Sequence, residues 1–179
     1  MSVTLEVAPA GDAPGLLLRP WQAGDLPDLV AAYQDPGMRQ WLFHRVADEA
    51  DGRRWLAEQE AAWADGTRYA FAVLGESGGP IANMVLKDVA DDRDTAEVGY
   101  WTSAAARGRG VAPRALAAVA EWAFGLPRRT PLTSLVLMHA VDNTASCRVA
   151  EKAGFALGEV LAPRPPDFPT EGHRHLRTA

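Results

Sequence analysis

A single cysteine, Cys147, is all the thiol chemistry this chain possesses. No disulfide can close within it, which excludes a cystine-stapled scaffold and fits a reducing compartment. Positive charge is also scarce: 18 Lys and Arg stand against 23 Asp and Glu, a formal net charge of −5. That balance gives non-specific nucleic-acid binding little electrostatic support. No apolar run approaches a membrane span. The N-terminal stretch MSVTLEVAPAGDAPG has neither the basic start nor the apolar segment of a signal peptide. The expectation is a cytoplasmic protein with no nucleic-acid or membrane partner.

What is present is a globular composition, with 47% hydrophobic residues in 179. That length suits one domain, 1–179, with a substantial core. Residues 1–14, rich in Ala, Gly and Pro, read as a loose arm. LLLRPW (16–21) reads as a strand. GDLPDLVAAYQDP (24–36) reads as a helix capped by Asp25 and stopped before Pro36, and 47–66 as a second helix. RYAFAVLG (68–75) and IANMVLKDV (81–89) flank a Gly-Gly-Pro turn and predict an antiparallel hairpin, followed by TAEVGYWT (95–102). An apolar helix, the β-like run 132–141, a short helix over 142–154 and a last strand pair (155–161 and 173–178) complete the chain. Asn143 suits the cap of the short helix, and Gly154 the left-handed residue past its end. The order predicts a mixed α/β (α+β) domain around one sheet.

The segment AAARGRGVAPRALAAVAEWAF (104–124) places an Arg-Gly-Arg-Gly knot before the apolar helix. Ala112, Leu116, Val119, Ala120 and Ala123 share one helical face. Two glycines let the backbone turn sharply and leave room for a ligand. The amides of Gly108, Arg109, Gly110, Val111 and Ala112 can then converge on an anion at the positive helix end, with Arg107 and Arg109 beside it. The alternative is a glycine-rich surface turn whose arginines keep it soluble.

Two separated motifs and the element order resemble the GNAT superfamily of N-acetyltransferases, over nearly the whole chain from LLLRPW to HRHLRT. Arg107-Gly-Arg-Gly110-Val-Ala112 matches the family's diphosphate loop, Gln/Arg-x-x-Gly-x-Gly/Ala. Asn143, Ser146, Lys152, Gly154 and Phe155 match a second signature, Asn-x-x-Ser with a Lys-x-Gly-Phe ending. The AEVGYW strand and the DNTAS…EKAGF helix look like the RimJ/RimL branch. The resemblance implies a mixed, mostly antiparallel sheet splayed at its centre between 95–102 and 132–141, with helices on both faces. It implies acetyl-CoA as cosubstrate, bound by the knot and by backbone groups of Tyr100, Trp101 and Thr102, as an added strand would be. The side chains of Tyr100 and Trp101 read as core. Gly99 is expected to mark a bulge that opens the sheet. Asn143 resembles the asparagine that binds the pantetheine arm, a role compatible with capping.

The implied reaction is attack of a neutral amine on a thioester, through a tetrahedral intermediate, with a thiolate leaving. A backbone amide of 100–102 would stabilise the developing oxyanion. Glu97, on the strand beside the acetyl group, is the candidate base; its alternative is a solvent-facing strand carboxylate. Many relatives carry a tyrosine on the second motif's helix as general acid, where this chain has Ala150. Ser146 resembles the serine that replaces it in the RimL-like branch, although serine is common in a first helical turn. Cys147 reads as packing, and His44, His139, His173 and His175 show no trusted metal spacing, so no metal is expected.

The resemblance puts the acceptor beside the first helices, with Met38, Trp41, Phe43 and His44 on one lip and the Pro-rich 162–174 on the other. Trp and Phe there are equally readable as buried anchors. The branch implies a primary amine as acceptor, with a protein or peptide N-terminal α-amine as the first reading. A small amine or aminoglycoside-type antibiotic is the alternative, and a non-catalytic acyl-CoA-binding module the second alternative. The resemblance is also compatible with a homodimer.

Overall fold

The computed structural model describes residues 3–42, 45–76, 78–89, 92–166 and 168–179. Its strands are β1 (Leu5–Val7), β2 (Leu16–Pro20), β3 (Tyr69–Leu74), β4 (Pro80–Lys87), β5 (Thr95–Thr102), β6 (Ser134–Ala140), β7 (Ala156–Leu161) and β8 (Gly172–Thr178). The helices are α1 (Leu26–Tyr33), α2 (Pro36–Arg39), α3 (Glu49–Asp65), α4 (Val111–Phe124) and α5 (Thr144–Lys152). The strands form one sheet in the order β1-β2-β3-β4-β5-β6-β8-β7. Every neighbouring pair is antiparallel except β5 and β6, which run parallel.

Alternation along the strands divides the core between two faces. Ala82, Met84 and Leu86 of β4, Ala96 and Val98 of β5, and Leu135 and Leu137 of β6 join the aliphatic stripe of α4 and Ala150 of α5. On the other face, Ala70 and Ala72 of β3, Val85 of β4 and Trp101 of β5 meet Leu29 and Tyr33 of α1 and Trp55 of α3. Trp21 stands edge-on to Trp55 at 5.3 Å between centroids. Its indole N–H donates to Asn83 Oδ1 at 2.8 Å, so these two buried side chains satisfy one another. No described helix is long and apolar enough to cross a membrane.

Several local expectations change. The N-terminal arm is not loose over its length: Leu5–Val7 pairs with Leu16–Leu18. Arg114 of α4 fastens the arm by donating to the carbonyls of Ala8 and Pro14. Asp25 does not cap α1 with its side chain. It is buried and accepts a bidentate pair of bonds from Arg19, at 2.7 and 2.8 Å, together with the Gln22 N–H. The first helix ends at Tyr33, and Pro36 opens α2 rather than only closing the helix before it. Asp35 caps α2 by accepting from Gly37 N–H. Proline fits that first turn because it lacks the amide that would stand unpaired there.

Candidate active site

The pairing of β5 with β6 runs from Thr95↔Ser134 to Val98↔Leu137 and stops there. Both strands continue, β5 to Thr102 and β6 to Ala140, so their later residues diverge into a slot at the centre of the sheet. Gly99 is the first β5 residue past the last paired position. The expected bulge is absent from its pairing with β4, because Gly99 opposes Val85 in unbroken register. The slot therefore begins where two parallel strands part, with no residue inserted.

Strand alternation decides which backbone groups face the slot. Ser103 N–H donates to the Ile81 carbonyl, towards β4. By the two-residue period of an antiparallel ladder, the backbone groups of Trp101 and Gly99 also face β4, while those of Tyr100 and Thr102 face the open side. Of the three residues expected to offer backbone to a pantetheine arm, Trp101 is thus turned away. Its side chain is buried with Trp21 and Tyr33. Thr102 Oγ1 is buried without a hydrogen-bond partner at this end of β5. Such an orphan calls for a ligand or water group beside it.

Directly after β5 and a 3-10 turn at Ala104–Ala106 comes the knot. Gly108 and Gly110 have φ of +74° and +71°, a left-handed geometry that favours glycine. A Cβ on Gly108 would meet nothing within 4 Å, so the space above the loop is open. Gly110 takes the cap position of α4 and brings no capping side chain. The amides of Gly108, Arg109 and Gly110 donate no backbone hydrogen bond within the described loops, and Val111 and Ala112 are first-turn residues without intrahelical acceptors. A row of unpaired donors at the positive end of a 14-residue helix fits an anion such as a diphosphate. A cleft of about 270 Å³, lined in part by Leu16, Ile81, Arg109 and Arg114, adjoins it.

Arg107 does not add its charge to that cradle as expected. Its guanidinium pairs with Asp35 and its Nε donates to the Thr102 carbonyl at 3.2 Å, which ties the loop to the start of α2. Met38 is not on a lip either: it is buried to 3% exposure among the aromatic residues of the second core. Trp41 is partly exposed, whereas Phe43 and His44 lie outside the described residues.

Asn143 and Ser146 meet as the second motif suggests. Asn143 Oδ1 accepts from Ser146 N–H at 3.2 Å, which makes it the cap of α5. Ser146 is buried, and its Oγ accepts from the Tyr100 hydroxyl at 3.1 Å. The Tyr100 side chain, expected only to pack, therefore links β5 to α5. Burial raises the Tyr100 pKa, partly offset by the Ser146 bond, so the phenol keeps its proton at neutral pH. Only β-strand alternation hinted at this contact: Tyr100 shares the α4 and α5 side with Ala96 and Val98. Glu97 points to the other face, where Lys87 Nζ donates to its carboxylate across the β4–β5 pair. It also opposes Val136 in the closed part of the sheet, one residue short of the end of pairing.

Three of the histidines come together with Cys147 although no local spacing joins them. His139 of β6, His173 and His175 of β8 and Cys147 of α5 gather in one cluster, with their ligating atoms all within 4.8 Å of one another. Burial lowers the His139 pKa, partly offset by its bond to the Ala140 carbonyl. Desolvation raises the Cys147 thiol, with Glu151 adding to the effect.

A splayed parallel pair feeding a left-handed glycine loop at a helix start is the arrangement the acetyltransferase resemblance requires. Residues 15–156 match the model of the acetyltransferase (GNAT) domain family. The chain belongs to the GNAT acetyltransferase family. It is a GNAT-fold acetyltransferase that uses acetyl-CoA, and the free loop amides, the open strand edge and the orphaned Thr102 hydroxyl fit that cosubstrate. No curated protein matches the chain by sequence. Among solved structures, it resembles the ribosomal alpha-N-protein acetyltransferase RimL in complex with coenzyme A, at 18% identity and a TM-score of 0.82, with 97% of this chain and 98% of that one covered. RimJ from Mycobacterium smegmatis, in complex with a CoA-disulfide, is similar at 20% identity and a TM-score of 0.75, covering 99% and 87%. A spermidine N-acetyltransferase SpeG chimera from Vibrio cholerae gives 16% identity and a TM-score of 0.72, covering 91% and 95%. At these identities the likeness is one of fold.

Proposed function

We propose that this GNAT acetyltransferase belongs to the RimJ/RimL-like branch and acetylates a primary amine, with a protein or peptide N-terminal α-amine as acceptor. The observation that carries the reading is the Tyr100–Ser146 hydrogen bond at the mouth of the slot, beside the Asn143 cap. The bound thioester supplies an activated acetyl group. The loop amides from Gly108 to Ala112 hold its anionic end, and the backbone of Tyr100 and Thr102 aligns its arm along β5. The Tyr100 or Thr102 amide, aimed into the slot, stabilises the developing oxyanion. Ser146 gives its proton to the leaving sulfur as the C–S bond breaks and recovers one from the proton the attacking amine sheds, while Tyr100 positions that hydroxyl by donating to it and remains protonated. The acceptor attacks directly in a ternary complex.

Glu97 is the only carboxylate proposed as base, and it can act only when its pair with Lys87 opens. An α-amine, with a pKa of about 8, needs less help at neutral pH than a lysine side chain near about 10.4. That asymmetry favours an N-terminal acceptor in a site with a restrained base.

Two measurements test the reading. Gly110→Val puts a β-branched residue at φ +71° and should abolish acetyl-CoA binding in a chain that still folds; undiminished affinity would remove the cradle from the mechanism. Labelled acetyl-CoA should then be offered with peptides bearing free or blocked N-termini and with polyamines and aminoglycosides. Label on free N-termini is expected. Label confined to small amines would replace the peptide acceptor with the small-amine one.

A further inference from the structure

We propose that His139 Nε2, Cys147 Sγ, His173 Nδ1 and His175 Nε2 form a closed tetrahedral site for a divalent transition-metal ion, zinc by its donor set. The first ground is distance. Zinc bonds of about 2.0–2.1 Å to nitrogen and about 2.3 Å to sulfur place the corners of a tetrahedron about 3.3–3.6 Å apart. Here His139 Nε2 and His175 Nε2 are 3.2 Å apart, Cys147 Sγ and His173 Nδ1 3.1 Å, and Cys147 Sγ and His175 Nε2 3.6 Å. Three of the six edges already stand near the spacing of a first coordination shell, and all four atoms lie within 4.8 Å of one another, so small side-chain movements would close the rest.

The second ground is proton accounting. His139 Nδ1 lies 2.8 Å from the Ala140 carbonyl, and His175 Nδ1 3.4 Å from that of Phe155. A carbonyl only accepts, so each Nδ1 carries the proton and each Nε2 a bare lone pair. Those two lone pairs face one another, which is repulsive unless a cation lies between them. A shared proton would place an imidazolium against His175, whose side chain is fully buried. A metal ion satisfies both nitrogens at once, and Nδ1–H donation to a carbonyl is the support that metal-bound imidazoles commonly have. Binding converts the thiol to a thiolate: the S–H bond breaks, an S–metal bond forms and the proton leaves to solvent.

Four protein donors leave no open position, so the site is structural. It would pin α5 to β6 and β8. β6 is the strand that parts from β5, and α5 carries Asn143 and Ser146. The inference does not depend on which amine is acetylated.

The test uses the full chain, stripped with a chelator and dialysed against zinc, with metal counted by elemental analysis. One zinc per chain is expected. Loading with cobalt(II) should give the intense visible absorption of a tetrahedral ion and a near-ultraviolet thiolate charge-transfer band. Cys147→Ser should remove that band. His173→Gln should weaken zinc retention by at least about tenfold, the least that even losing a ligand's support costs. Both side chains are partly exposed, so these variants should fold, as far-ultraviolet circular dichroism will show. If either does not fold, the wild-type stoichiometry and cobalt spectrum decide. A folded wild-type chain that retains no zinc would overturn the proposal, as would a cobalt spectrum indifferent to Cys147→Ser. Acetyl thioester on Cys147 after exposure to acetyl-CoA and zinc would also overturn it, making Cys147 and His173 a nucleophile and base.

Discussion

On the face of the sheet covered by α1–α3, three ion pairs tie neighbouring segments together. Arg19 clamps Asp25, Lys87 holds Glu97, and Arg107 reaches Asp35. On the face covered by α4 and α5, the groups near the slot are a phenol, a serine hydroxyl, a thiol and three imidazoles. Ion pairs of the first kind hold backbone segments in place, at the cost of desolvating charge. Groups of the second kind keep transferable protons and open lone pairs, which is what proton donation and metal ligation need. The contrast holds beside the slot; farther from it the α4 side too has a scaffolding pair, Arg177 with Glu121.

The largest effect is expected where the first face is most buried. Asp25 is 5% exposed and accepts from both Arg19 nitrogens and the Gln22 N–H. Asp25→Ala leaves the part-buried Arg19 guanidinium without its carboxylate, holding only the Pro20 carbonyl, and should cost about 3 kcal/mol in urea unfolding, the lower end for a broken buried pair. A loss below about 1 kcal/mol would place this pair with exposed ones.

On the second face, the expected loss is one of rate. Ser146→Ala should lower turnover about tenfold, below the usual range for a general acid because a thiolate leaves readily even without one. Acetyl-CoA affinity should hold, since the loop amides carry the binding. Equal turnover in mutant and wild type would leave Ser146 only its contact with Tyr100.

These regions differ also in how far the sequence discloses them. The loop was legible because its glycines, its helix and the GYW strand before it are contiguous. TAEVGYWT forms β5 over Thr95–Thr102, and Asn143 caps α5. The histidine cluster was not legible. Cys147 and His173 are 26 residues apart and meet only because β8 lies beside β6, which no local spacing encodes. Met38 and Arg107 were misplaced for a related reason. Whether a side chain near a site lines it or anchors it depends on the packed neighbours, here the tryptophan core and Asp35. Asp25 had the position of a cap, but a stronger partner, Arg19, claimed it.

The smallest expected effect compares one tyrosine from each face. Burial raises the pKa of Tyr33 beside α3 and of Tyr100 beside α5, so each stays protonated in the fold above the pH where the unfolded chain ionises. The unfolded phenol loses its proton near about pH 10. Above that the unfolded state binds fewer protons than the native one, and stability falls as pH rises; below it, the contribution is fully present. Each such tyrosine steepens the fall by at most about 1.4 kcal/mol per pH unit. A hydrogen bond offsets burial in both, from Trp101 at Tyr33 and from Ser146 at Tyr100, but the faces should differ, because Arg68 then favours the Tyr33 phenolate, whereas Cys147 disfavours that of Tyr100. Tyr100→Phe should therefore flatten the alkaline loss more than Tyr33→Phe, read from urea midpoints between about pH 9 and about pH 11. A larger flattening from Tyr33→Phe would mean that the charged face, not the neutral one, holds its phenol more firmly in the protonated form.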